Sequence, residues 1–121
     1  MLIENSKFKQ SILIALADED MVKILNSAQT QAMSVNDIIR EHNIAHTTAY
    51  RKIKWMVEND LLVVEQIKLT DDGKKLSLFR STISSAKVNY ENGEVHVEMI
   101  KNVNKMKPIA ERFFSLGEDE A

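Results

Sequence analysis

The sequence predicts an α+β fold in which helices come first and β-hairpins follow. Three observations carry this expectation. Up to Asp60, apolar residues recur at the three- and four-residue spacing of one helix face, and beyond it they alternate. Two turn signals, Asp71-Asp72-Gly73 and Asn92-Gly93, each lie between runs rich in β-formers. One proline and three glycines in 121 residues leave few other breaks, so one domain spanning 1–121 is expected.

The first helix is expected over about Ser6 to Leu16, with Phe8, Ile12, Ala15 and Leu16 on one side. The second begins near Asp18. Acidic Asp18, Glu19 and Asp20 suit the positive end of a helix, and Met21, Ile24, Leu25 and Ala28 follow as its stripe. Gln29 to Met33 reads as a loop. Ser34 is placed as an N-cap, with Asp37 three residues on in a variant of the capping box, before a short helix that turns Val35, Ile38 and Ile39 inward and ends near His42. Asn43 and Ile44 make a tight turn. The next helix runs from about His46 to Asn59, buried through Ala49, Ile53, Met56 and Val57. His46, Thr47, Thr48, Tyr50, Arg51 and Lys54 fall on its open side. Trp55, one position off the stripe, is expected at a partly exposed seam against the hairpin or the first helix.

After Asp60 the run LLVVEQIKLT, the turn at 71–73 and KKLSLFRSTI form a first hairpin. A second, at 85–101, turns on Asn92-Gly93. That turn sets Tyr90 opposite Val95, Val88 opposite Val97 and Ala86 opposite Met99, with Lys87–Glu98 and Asn89–His96 on the other face. One register yields one apolar and one polar face. Pro108 suits the first turn of a last helix, about 105–116, whose Ile109, Phe113 and Leu116 share a side before Gly117 stops it.

Composition narrows the function classes. No apolar run approaches the ~20 residues of a membrane span. Glu4 interrupts the N-terminal ten residues and no small-residue cleavage site follows, so no signal peptide is read there and a cytoplasmic protein is expected. The absence of cysteine removes disulfides, thiolate metal sites and thiol switches. The net charge is −2, but the stretch from Arg40 to Lys87 holds nine Lys/Arg against six Asp/Glu, so the middle is mildly basic and the ends are acidic. No glycine-rich phosphate loop, cysteine nucleophile or HExxH is present. The carboxylate clusters at 18–20 and 71–72 are explained by cap and turn chemistry. No enzyme, cofactor or metal site is therefore expected, and His42, His46 and His96 read as structural or surface residues.

Helices, a tight turn, a helix polar in front and gripped from behind, then a hairpin: this order is the winged helix-turn-helix. Here it carries an N-terminal helix, a wing hairpin, an additional β-hairpin and a C-terminal helix. The major groove of duplex DNA, about 12 Å wide, admits one such helix. Thr47 and Thr48 can serve bases or phosphates, Arg51 can make a bidentate contact with guanine, and Tyr50 and Lys54 can reach phosphates. Lys74 and Lys75 at the wing tip can contact the neighbouring backbone, or they can simply protect a hairpin edge. Arg80 and Lys87 read equally as phosphate contacts or cross-strand partners.

The stretch ALADEDMVKILNSA (15–28) resembles the helix that begins the core of ArsR-like regulators. MSVNDIIREHNIAHTTAYRKIKWMVENDLLVV (33–64) resembles their helix-turn-helix and first wing strand. HTTAYRKI and KKLSLFRS are nearest to the archaeal variety. The resemblance covers about 12–84, leaving the hairpin at 85–101 and the helix at 105–116 beyond the usual core. It implies that His46, Thr47, Thr48, Tyr50, Arg51 and Lys54 face the groove, flanked by the wing lysines. Two departures stand out. The cysteines that metal-sensing members carry on the helix corresponding to 34–42 are missing, and Asn59-Asp60 stands where a glycine often ends the recognition helix.

The expected function is that of a DNA-binding transcriptional regulator. A homodimer formed through helices 6–16 and 105–116 would read two half-sites about one DNA turn apart. A repressor is the default sign, because a small factor overlapping a promoter blocks polymerase unaided. The alternative is a winged-helix protein–protein interaction module without DNA binding, which the acidic total favours. Alternatively to dimerising, the two outer helices would only cover their own domain's core edge.

Overall fold

The computed structural model describes residues 1–102. In chain order these form α1 (Ser6–Leu16), α2 (Glu19–Thr30), α3 (Val35–His42), α4 (His46–Glu58), β1 (Leu62–Leu69), β2 (Lys75–Ser81), β3 (Ile83–Glu91) and β4 (Glu94–Lys101). The described residues are thus α+β, four helices followed by two antiparallel hairpins. The helix expected at 105–116 lies outside them.

Each of the first three helices starts on a side-chain cap. The Asn5 side-chain amide oxygen and an Asp18 carboxylate oxygen accept from the backbone N–H of Phe8 (2.8 Å) and Met21 (2.9 Å) respectively. Ser34 and Asp37 close a reciprocal capping box, each side chain accepting from the other's backbone N–H at 3.1 Å. The Ser34 N–H, aided by the Ser34 hydroxyl and Arg40, holds the Asp37 carboxyl below its ordinary value against the opposing effect of burial. The α3–α4 turn rests on Asn43, whose φ of 55° places it in the left-handed region where Asn is tolerated. Asp60 (φ 63°) does the same after α4, in the place where a glycine is common.

The core collects the predicted stripes. Ile12 and Ala15 of α1, Met21, Ile24 and Ala28 of α2, Ile38 of α3, and Ala49, Ile53 and Met56 of α4 all pack into one cluster with Leu61, Leu62, Ile83, Val97 and Met99. Val35, Ile39, Val57 and Trp55 are half-buried against it. Leu16, expected inside, is exposed. α1 buries Ser11, Ile12 and Ala15 and carries Leu16 round to solvent with Ile14.

Two pairings escaped the sequence reading. Gln29 and Thr30 belong to α2 rather than to a loop, and Met33 pairs with Phe79 through two backbone hydrogen bonds of 2.9 and 2.8 Å. That bridge ties the segment before α3 to the first hairpin. At the other sheet, the N-terminal residues add to the β4 edge, with Ile3 N–H donating to Val97 and Met99 N–H donating to Met1, both at 2.8 Å.

The first hairpin, β1–β2, carries a bulge between Val64 and Gln66. The bulge resets the alternation, so that Leu62 and Glu65 both face inward despite their three-residue spacing. The second hairpin has the register that Asn92-Gly93 dictates: Tyr90–Val95, Val88–Val97, Ala86–Met99, Lys87–Glu98 and Asn89–His96. Its first strand starts at Ile83, two residues before the expected boundary at 85. The apolar face is real but only half covered: Val97 and Met99 are buried, whereas Val88 and Tyr90 near the tip are exposed. Gly93 sits at φ 79° with nothing within 4 Å of where a Cβ would stand. Gly93→Ala is therefore expected to cost about 1–2 kcal/mol through backbone strain alone, read as a lower urea midpoint; an unchanged midpoint would show that the turn is not held in this conformation.

Candidate nucleic-acid interface

α4 is fastened along one side. Ala49 and Met56 are fully buried and Ile53 nearly so. A second fastening comes from charge. The Lys52 ammonium reaches across to Asp18 (2.9 Å) and Asp20 (3.0 Å), joining the middle of α4 to the start of α2. At the far end, Asn59 accepts from the Ser11 hydroxyl of α1 (3.0 Å) and donates to the Trp55 carbonyl (2.9 Å). These contacts fix the rotation of the helix about its axis, and so fix which residues look outward.

The outward residues are His46, Thr47, Tyr50, Arg51 and Lys54, all exposed; Thr48 is half-buried at the border. His46 and Tyr50, one turn apart, lie with ring centroids 5.1 Å from each other. Ala45 occupies the N-cap position and offers no side-chain oxygen, so the first N–H groups of α4 have no side-chain cap. An uncapped helix start next to Thr47 and Arg51 is suited to an anionic oxygen.

The Lys52 clamp has a defined pH window. The hydrogen bond that the ammonium donates to Asp18 is the largest influence on Lys52, and with the bond to Asp20 it raises the ammonium above its ordinary value in spite of burial. Burial pushes Asp18 up, but Lys52 and the Met21 N–H outweigh it and leave the carboxyl lowered. A raised lysine stabilises fully below its unfolded value of 10.5 and loses this as pH rises through the folded value. A lowered aspartate stabilises above its unfolded value of 3.8 and loses this as pH falls through the folded value. The stability gap between wild type and Lys52→Met is therefore expected to be flat across neutral pH and to shrink at both extremes. A gap that persists at pH 2 would mean the clamp acts by packing rather than by charge.

The hairpin tip next to α4 is ordered by Thr70. Its hydroxyl bonds Asp72 and accepts from Lys74 N–H (3.1 Å), while its backbone N–H donates to the Lys74 carbonyl (2.8 Å). The Thr70 hydroxyl lowers the Asp72 carboxyl. Gly73 at φ 83° completes the turn. Lys74 and Lys75 are exposed there, but Asp71 and Asp72 stand beside them, so the tip as a whole carries no net formal charge.

Arg80 is resolved as an internal cation. Its guanidinium meets Glu65 at 2.8 and 3.3 Å, both residues buried, and Nη1 also donates to the Gln29 carbonyl at the end of α2 (3.3 Å). It is thus a cross-strand partner, and its reading as a phosphate contact is withdrawn. Lys87 is exposed opposite Glu98. Of the histidines, His42 bonds the Ser27 hydroxyl and His96 lies 3.4 Å from Glu94.

One feature had no signal in the sequence. A groove of about 410 Å³ opens between Val35 and Asn36 of α3, Tyr50 to Glu58 of α4, and Lys75 to Phe79 of β2. It brings Tyr50, Lys54 and Lys75 to one surface. Lys74, at the turn, does not line it, and His46 and Thr47 lie at the other end of α4. No protein-family model and no curated protein matches the chain. Function is therefore read from α4 and the hairpin beside it.

Proposed function

We propose that this protein is a DNA-binding transcriptional regulator with a winged helix-turn-helix fold of the ArsR-like kind. α4 enters the major groove and the β1–β2 hairpin serves as the wing. The observation that carries the reading is the orientation of α4: its apolar stripe is buried and Lys52 is tied back to α2, leaving Thr47, Tyr50, Arg51 and Lys54 facing solvent. Arg51 reads a base, guanine being its best bidentate partner; Lys54, Lys74, Lys75 and Tyr50 position the helix on phosphates.

The protein acts as a homodimer and represses by occlusion. Most of the α1 stripe is spent inside its own chain, so the apolar residues α1 and its neighbour can offer a second copy are Ile14, Leu16 and Val22, each 39–48% exposed. The other expected dimer helix, 105–116, lies outside the described residues.

Two substitutions separate the roles. Arg51→Ala is expected to cost about 1–3 kcal/mol on the cognate duplex and to relax preference at one base pair, whereas Lys74→Ala weakens every sequence alike. Competition binding against single-base variants of the site measures both. The runner-up reading, a protein-interaction module, draws on the acidic total charge of −2. It prevails if duplex DNA fails to bind at low salt while a protein partner engages the same face of α4.

A further inference from the structure

We propose that the groove between α3, α4 and β2 is an effector site for a small apolar monocarboxylate, and that the bound acid competes with DNA. Its floor and walls are Ile53, Val57, Leu76 and Phe79, and its volume of about 410 Å³ suits a compact organic ligand. Val57 and Phe79 pack on the core from one side and stay only half-buried on the other. An apolar body placed there would complete their burial.

The rim sets the charge of the ligand. Lys54 and Lys75 both line the groove, both are exposed, and neither enters an ion pair among the described residues. Glu58 also lines it, so the formal charge of the lining is +1. One carboxylate is matched; a second anionic group would meet Glu58. A neutral molecule would leave both ammoniums without the charge-assisted bonds that a carboxylate supplies. A ring-sized acid such as an aromatic carboxylate fits both demands.

The regulatory half rests on the DNA reading above. Lys54 and Lys75 are two of the three lysines assigned there to phosphates, so a carboxylate bound between them removes two backbone contacts and inserts an anion under α4. Binding to the acid and binding to the duplex then exclude each other.

The binding half is tested without DNA. Isotope-labelled protein is titrated with 2-naphthoate and with its neutral counterpart, 2-naphthamide, while backbone amide shifts are followed. Saturable shifts are expected at 53–58 and 75–79, with the carboxylate bound at least about tenfold more tightly than the amide. Lys54→Gln/Lys75→Gln, at exposed positions, is expected to erase that tenfold preference while leaving the amide's affinity unchanged. Val57→Trp, which fills the groove, is expected to weaken both probes. Equal affinity for the two probes, or no saturation by roughly 10 mM, overturns the site. The DNA half is read separately from the duplex Kd with and without saturating 2-naphthoate. A Kd that rises in proportion to ligand supports competition, and an unchanged Kd overturns it. If no duplex binds at all, the DNA reading fails and with it the competition, while the amide titration still decides the site.

Discussion

Replacing Arg80 with methionine is expected to cost about 3–5 kcal/mol of folding stability, the range for removing one partner of a buried ion pair. Arg80 and Glu65 are 8% and 7% exposed, and the guanidinium covers both carboxylate oxygens. The loss arises because Glu65 is left with a buried negative charge and no counter-ion, rather than because the pair itself is worth that much. The Gln29 carbonyl keeps a donor in either case, since Asn102 Nδ2 also reaches it at 2.9 Å. Glu65→Met/Arg80→Met is accordingly expected to recover most of the loss, because it removes the charge and keeps the volume. Urea denaturation of both variants measures this. A single-variant cost below about 1 kcal/mol would place the pair in the solvated class.

The second large effect is on DNA affinity. Under the proposed function each protomer would direct three lysines, Lys54, Lys74 and Lys75, at phosphates, and a dimer six. At a slope of about 0.9 per phosphate contact, a fourfold rise in salt is expected to weaken a dimer's binding by roughly 10³ and a monomer's by only about 40-fold. Raising salt from 50 to 200 mM in a duplex titration therefore reports oligomeric state as well as mode of binding. A response below about tenfold would mean that the lysines are not on phosphates. Lys74→Ala should flatten the slope by about one unit per protomer, and Arg51→Ala by less, since the contact proposed for it is to a base. Mapping bound sites across the genome with the native protein would then name the operator and its genes.

Much of this arrangement was legible in the sequence because it is written in local patterns. The α4 stripe repeats every three or four residues, so its buried and open faces follow from spacing alone. Asn92-Gly93 set the register of β3–β4 residue by residue, because a two-residue turn leaves no freedom to slip. What stayed hidden depends on distant partners or on a change of phase. The bulge at Glu65 breaks the alternation that would have placed it outside, so neither it nor its bond to Arg80 could be read from a strict two-residue period. Nothing in the local pattern around Lys52 marks its clamp; its partners lie 32 and 34 positions away, on residues whose capping role already accounted for them. Met1 to Ile3 are too short to show a strand pattern, yet they pair with β4 across almost the whole described chain. The groove is lined from three elements at once, and no window of sequence contains it.

The open flank of α4 is the centre of the functional reading, and backbone amide shifts on adding a duplex at low salt address it most directly. The expected result is that the largest changes fall on 46–54, with a second set at 74–75, while α1, β3 and β4 move little. Saturable binding whose shifts centre on β3 and β4 and leave 46–54 unchanged would contradict it, as would the absence of any shift at 50 mM salt or below.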